Sequence, residues 1–151
     1  MRTLASPLKG RVVPLERVAD PVFADRVVGD GVAIEPASGE VCAPVEGTVA
    51  KLFRGGHAFV VQTSDGVEVL THIGLDTVEL EGEGFTCHVD EHDAVTAGQH
   101  VVTVDLERLR GRGIDLTSPV VVLSHHSVRP LATGAVDVGA PLMEVRAEEQ
   151  A

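Results

Sequence analysis

The chain has 151 residues, a formal net charge of −11, 44% hydrophobic residues and 3% aromatic residues, with no Trp or Tyr. That length fits one domain with a real hydrophobic core, the apolar content excludes a disordered chain, and the acidic charge excludes nonspecific nucleic-acid binding, because a phosphate backbone repels such a surface. No run approaches the roughly 18 apolar residues of a membrane span, and the opening MRTLASPLKG has no signal-peptide apolar stretch, so a cytoplasmic protein without membrane insertion is expected.

From the N-terminus onward, short apolar runs alternate with Gly and Pro. GRVVPL (10–15), GVAIEP (31–36), GTVAKLF (47–53), AFVVQT (58–63), GVEVLTHI (66–73), HVVTVDL (100–106), PVVVLS (119–124) and APLMEV (140–145) read as strands. With so few aromatics the core falls to Val, Leu, Ile and Ala, a bias that favours strands. DLERLRGRG (105–113) alone has helical character, and its glycines keep it short. The pattern predicts an all-β antiparallel sandwich or barrel-sandwich hybrid with short helical turns at most. One domain is expected over 1–151, with an ordered core of about 4–146 and RAEEQA (146–151) as a solvated tail. Cys42 and Cys87 form no CxxC and read as reduced thiols.

Two weak internal repeats suggest a duplicated motif. SPLKGRV (6–12) matches APVEGTV (43–49), and VTAGQHV (95–101) matches VDVGAPL (136–142). The Pro-x-x-Gly element suits a tight turn feeding a strand.

His57 and His72 flank a predicted hairpin around Ser64-Asp65-Gly66. A two-residue turn at Ser64-Asp65 sets the rings opposite one another; a turn at Asp65-Gly66, the stronger hairpin signal, makes them diagonal neighbours. Either register puts both on one face, shared with Phe59 and Leu70, whereas a three-residue turn would put them on opposite faces. Paired neutral imidazoles suit two chemistries. One ring can attack phosphorus while the other donates to phosphoryl oxygens, or both can supply half of a tetrahedral zinc site. Backbone N–H groups of Gly55, Gly56 and Gly74 could approach an anion closely. The bland reading is two ordinary, partly buried histidines.

DPVFADRVVGDGVAIEP, APVEGTVAKLF, HAF, TSPVVVLS and, above all, HIGLDTVELEGEGF from His72 to Phe85 resemble the glucose-type enzyme IIA component of the bacterial phosphoenolpyruvate-dependent sugar phosphotransferase system, over about Ser6 to Val145. The resemblance implies a phosphoryl carrier. His72 falls on the family's phosphorylated histidine and His57 on the second active-site histidine. Val22, Phe23 and Val28 fall on an apolar rim that docks partners, and Asp20 and Asp76 on carboxylates near the site. Three large apolar residues in a Pro/Gly-punctuated loop also suggest an exposed binding patch, with Phe23 outside the core. The implied partners are the histidine-containing phosphocarrier protein and the IIB domain of a sugar permease, with regulated transporters, kinases or cyclases as further candidates. No cofactor is required, although a partner carboxylate could complete a zinc site at His57 and His72.

The chain departs from the family at Gly55, where many relatives carry threonine, and at Gln62, where one branch carries an acidic residue. It also starts almost at the domain, so no membrane-contacting tail is expected. Two other classes fit less well. A swinging-arm carrier needs a lysine at a hairpin tip, and neither Lys9 nor Lys51 sits in one. A lysostaphin-type zinc peptidase needs an H-x-H pair, but Leu70 stands two residues before His72. A zinc-binding sandwich using His57 and His72 without phosphotransfer is the alternative function. Cys87, His88 and His92 read as a solvated segment and His100 as a strand-edge residue. His125 and His126 read as facing opposite sides of a strand, and Glu79, Glu81 and Glu83 as an exposed acidic loop.

Overall fold

The computed structural model describes residues 2–123 and 126–147. Among these, the chain forms the strands β1 (Arg2–Ala5), β2 (Gly10–Pro14), β3 (Asp30–Pro36), β4 (Glu40–Cys42), β5 (Gly47–Leu52), β6 (Ala58–Gln62), β7 (Glu68–His72), β8 (Phe85–Cys87), β9 (Ala94–Val95), β10 (His100–Val104), β11 (Ser118–Val122), β12 (His126–Pro130), β13 (Gly134–Val136) and β14 (Pro141–Ala147). Two short α-helices interrupt them, α1 (Pro21–Ala24) and α2 (Leu106–Gly111), with single 3-10 turns at Leu15–Arg17 and Thr77–Leu80. The fold is all-β and antiparallel, as the composition predicts. Every predicted strand forms; Arg146 and Ala147 extend β14 rather than opening a tail.

An eight-stranded sheet in the order β13-β2-β3-β11-β7-β6-β5-β9 packs with two three-stranded sheets, β1-β14-β12 and β4-β10-β8. The large sheet is palindromic in architecture. β11 and β7 sit at its centre, and β3, β2 and β13 on one side mirror β6, β5 and β9 on the other. The two sequence repeats lie at mirrored positions and interlock. Ala5 N–H donates to Pro44 O and Cys42 N–H to Pro7 O, both at 2.8 Å. Ser6 N–H donates to Ala140 O and Ala43 N–H to Gln99 O, again both at 2.8 Å. Equivalent donors thus find equivalent acceptors in the two copies, so the repeats are a structural duplication folded on itself.

The central strands bury both faces, which is why they read as continuous apolar runs rather than alternating ones. Val32, Ile34, Phe59, Val61, Val69, Val120 and Val122 face the main core. Their neighbours Ala33, Ala58, Val60, Leu70 and Val121 face the other way, into a smaller cluster with Leu15, Val18, Phe23 and Leu75. The segment from Leu15 through Phe23 therefore roofs the outer face of the sheet. Phe23 is only 6% exposed, which corrects the expectation that it stands outside the core. It shares that cluster with the small residues Ala33 and Ala58.

Candidate functional site

The β6–β7 hairpin follows neither two-residue register. Ala58 pairs with His72, Val60 with Leu70 and Gln62 with Glu68. The turn is the three-residue one, Ser64–Gly66, closed by Thr63: its N–H donates to Val67 O at 2.9 Å, and its Oγ1 accepts from Val67 N–H at 2.9 Å and contacts the Asp65 carboxylate. Gly66 supplies the left-handed conformation, φ +91°. His72 accordingly shares a face with Ala58, Val60 and Leu70, not with Phe59, which lies in the main core.

Strict alternation would now send the two imidazoles apart, yet their ring centroids are 5.4 Å apart with an interplanar angle of 74°. The reason is local. β6 begins only at Ala58, and the two residues before His57 are left-handed glycines, Gly55 at φ +94° and Gly56 at φ +89°. Their bend frees His57 from the pleat and turns its ring toward His72, while its carbonyl still accepts from Ile73 N–H at 2.7 Å. The loop is tightly backed. A Cβ on Gly55 would lie 2.8 Å from Gly82 N, and one on Gly56 would lie 2.5 Å from Cys87 Sγ. At Gly55 the departure from threonine is thus a backbone feature as well as a missing hydroxyl.

His72 closes β7, where its Nδ1 lies 2.7 Å from Gly74 O. A carbonyl only accepts, so Nδ1 carries the proton and Nε2 keeps its lone pair. Gly74 is fixed in turn: its N–H donates to Ser118 Oγ at 3.1 Å, and that hydroxyl donates to Leu116 O at 2.8 Å. Thr77 Oγ1 pins the preceding peptide by donating to Ile73 O at 2.7 Å. The Gly74 and Gly56 N–H groups, expected to be available to an anion, are both engaged within the fold, the latter with Phe53 O at 2.8 Å.

Each imidazole leans on a phenylalanine. Phe23 lies 5.3 Å from the His72 ring, and Phe53 lies 5.7 Å from the His57 ring in a T-shaped arrangement. His57 is buried at 5% exposure and His72 is half-buried. Burial pushes both rings below the ordinary imidazole range. For His57 the repulsion from a charged His72 adds to this, and a hydrogen bond to the Arg54 backbone opposes it. For His72 the Gly74 carbonyl and the Asp20 and Asp76 carboxylates oppose it without overcoming it. Both rings are therefore neutral at pH 7, and His72 has carboxylates poised to favour positive charge.

Asp20 and Asp76 are brought to the site by turns. Asp20 caps α1, its Oδ1 accepting from Val22 N–H at 3.0 Å, and Asp76 precedes the Thr77 turn in a left-handed conformation, φ 58°. Of the expected rim, Val22 is exposed at 46% and Val28 is half-buried. Sequence reasoning missed Val27 and Val78, which are 74% and 60% exposed and follow the same two turns. It also missed Ser118, Thr77 and Phe53, since one hydroxyl before a proline or one aromatic after a strand carries no pattern of its own.

The remaining expectations divide. Glu83 is no idle member of an acidic loop, because it accepts from Arg112 through two hydrogen bonds at 2.7 Å and also from Arg108, tying its loop to α2. His100 stands at the start of β10, as expected, and β10 is the central strand of its sheet. The side chains of His125 and His126 lie outside the described residues. Among the described residues no group of three or more His, Cys, Asp or Glu side chains is arranged to hold a metal, and no helix is long and apolar enough to cross a membrane.

Comparison with known proteins places this arrangement in context. A family model described as "phosphoenolpyruvate-dependent sugar phosphotransferase system, EIIA 1" matches residues 2–128. The chain is 42% identical over 127 residues to the PTS system glucose-specific EIIA component of Oceanobacillus iheyensis, covering 84% of this chain and 77% of that one. It is 45% identical over 146 residues to the PTS system beta-glucoside-specific EIIBCA component of Dickeya chrysanthemi, covering 95% of this chain but 23% of that longer protein. The solved structure of glucose permease IIA from Mycoplasma capricolum superposes with a TM-score of 0.90 at 38% identity, covering 94% of each chain.

Proposed function

The chain belongs to the EIIA 1 family of the phosphoenolpyruvate-dependent sugar phosphotransferase system, and from that premise we propose that it carries a phosphoryl group on Nε2 of His72. The observation that carries the reading is the His72–Gly74 hydrogen bond, which leaves Nε2 as the free nucleophile. In this reading the Nε2 lone pair attacks the phosphorus of a phosphohistidine on the small phosphocarrier protein. The N–P bond of the donor breaks, and its electron pair stays on the donor ring. Because Nδ1 keeps its proton, the phosphorylated His72 ring is cationic; the Gly74 carbonyl, Asp20 and Asp76 stabilise that charge. His57 donates N–H to the phosphoryl oxygens from its place beside His72. The group then passes to a IIB domain of a sugar permease. Alignment and charge stabilisation are the protein's contribution to such a transfer.

Partner docking is assigned to the apolar rim of Val22, Val27 and Val78 around the two aspartates, since exposed apolar groups beside a reactive residue favour protein contact. The chain's formal net charge of −11 suits basic partners. Relatives named as EIIBCA or EIICBA components support a IIB acceptor. A zinc ion is not part of the transfer chemistry. The two imidazoles suit zinc as donors, but a partner would have to complete the coordination.

Incubation with phosphoenolpyruvate, the first enzyme of the system and the phosphocarrier should add one acid-labile phosphoryl group, and His72→Gln should add none. Labelling that persists in His72→Gln would overturn the assignment.

A further inference from the structure

A second pair of imidazoles lies on the small sheet β4-β10-β8, outside the site above. β8 and β10 pair with Val102 opposite Cys87 and Thr103 opposite Thr86, and His88 continues the ladder by donating its N–H to Val101 O at 2.8 Å. His88, Thr86 and Thr103 thus share one face. Alternation alone would put His100 on the other face from Thr103. The register of β10 against β4, however, shifts between His100 and Val102, and such a bulge re-aims a side chain. The rings of His88 and His100 come together with centroids 4.4 Å apart.

Their Nε2 atoms converge on one oxygen. Thr103 Oγ1 lies 2.7 Å from Nε2 of His88 and 3.0 Å from Nε2 of His100. His100 Nε2 also lies 3.1 Å from Val102 O. The carbonyl can only accept, so this nitrogen carries the proton and shares it with Thr103 Oγ1. The threonine hydroxyl then donates to the lone pair on His88 Nε2.

We propose that His88 and His100 form a surface site for a late first-row divalent cation, with both Nε2 atoms as ligands and copper(II) held more tightly than zinc. Binding needs only a tautomer change at His100, the proton moving from Nε2 to Nδ1 with no net release. His88 is exposed and can turn to close on the ion. No further His, Cys, Asp or Glu side chain among the described residues completes the pair, so water fills the remaining positions. The neighbouring Cys87 is not a ligand, because it points to the opposite face, where its Sγ backs Gly56. The ion would join β8 to β10 behind the loop that presents His57.

The test uses the His57→Gln/His72→Gln double variant, which removes the other imidazole pair among the described residues. Copper(II) titrated into it should bind at one ion per chain by calorimetry and raise the melting temperature. Adding His88→Gln or His100→Gln should abolish both effects, whereas adding Cys87→Ser should abolish neither. Metal-free melts of each variant establish that the fold is retained. Absence of copper binding in the double variant, or binding undiminished by His88→Gln, would overturn the proposal.

Discussion

His57 and His72 reach one another from segments built on opposite principles. His72 is held through its ring: Gly74 accepts from Nδ1, and Ser118 in the central strand β11 fixes Gly74. His57 is held through its backbone, by two left-handed glycines wedged against Gly82 and Cys87. The first device selects a tautomer and leaves Nε2 with its lone pair, the nitrogen that reacts in the proposed transfer. The second selects only a position, which is all that the donor role proposed for His57 needs. Their aromatic neighbours differ in the same way, since Phe23 is part of a buried cluster while Phe53 is half-buried beside it.

The largest expected effect tests that last contrast. Phe23→Ala should lose about 3–5 kcal/mol of stability in a denaturant titration, as buried aromatic truncations do, and Phe53→Ala should lose clearly less. Equal losses would show that the two sides of the site are packed alike. The histidines themselves come next. His57→Gln should still accept phosphate, but its onward transfer should slow by an amount equivalent to about 2.7–4 kcal/mol of barrier. If His57→Gln blocks labelling while the fold is intact, the division into nucleophile and donor fails.

Gly55→Thr restores the side chain common among relatives into a backbone at φ +94°. It should cost about 1–3 kcal/mol through strain and slow transfer by displacing His57, read by melting and phosphotransfer on one preparation. An unchanged melting temperature would mean that the loop is not held by close packing.

The smallest effect is on pH dependence. Both imidazoles titrate lower in the fold than when unfolded, where the value is about 6.5. Between the folded and unfolded values the unfolded chain binds more protons, so stability is full above the unfolded value and falls with acidification through that window. His72→Gln should reduce the slope and, by removing the repulsion, move the His57 titration upward in an NMR experiment. A His57 titration that stays in place would show that the rings do not sense each other's charge.

Much of this was legible in the chain. Uninterrupted runs such as PVVVL and AFVVQ announce strands buried on both faces, and the Pro-x-x-Gly echoes announce the duplication. The shortest strands, β9 at two residues and β4, β8 and β13 at three, are too brief to carry a period and exist because longer neighbours pair with them. The sequence leaves the hairpin register open: Asp65-Gly66 resembles a two-residue turn, whereas Thr63 closes a three-residue one with both backbone and hydroxyl. Phe23 reads as exposed because Pro21 and the nearby glycines look like loop, and nothing local reveals that it joins a buried cluster with residues of β3, β6, β7 and β11. The pairing of the histidines was anticipated, but the expected cause was strand alternation and the observed one is a bend.

The pairing of β1 with β14 puts Arg2 opposite Val145, so the path of the chain returns to its origin and is topologically close to a ring. A ring has no privileged point of opening. A short bridge across this seam, with the cut moved to an exposed turn such as that at Gly113, whose added Cβ would meet no atom within 4 Å, yields a circular permutant with the same sheets. The same seam lets the domain be spliced into a longer polypeptide with entry and exit side by side.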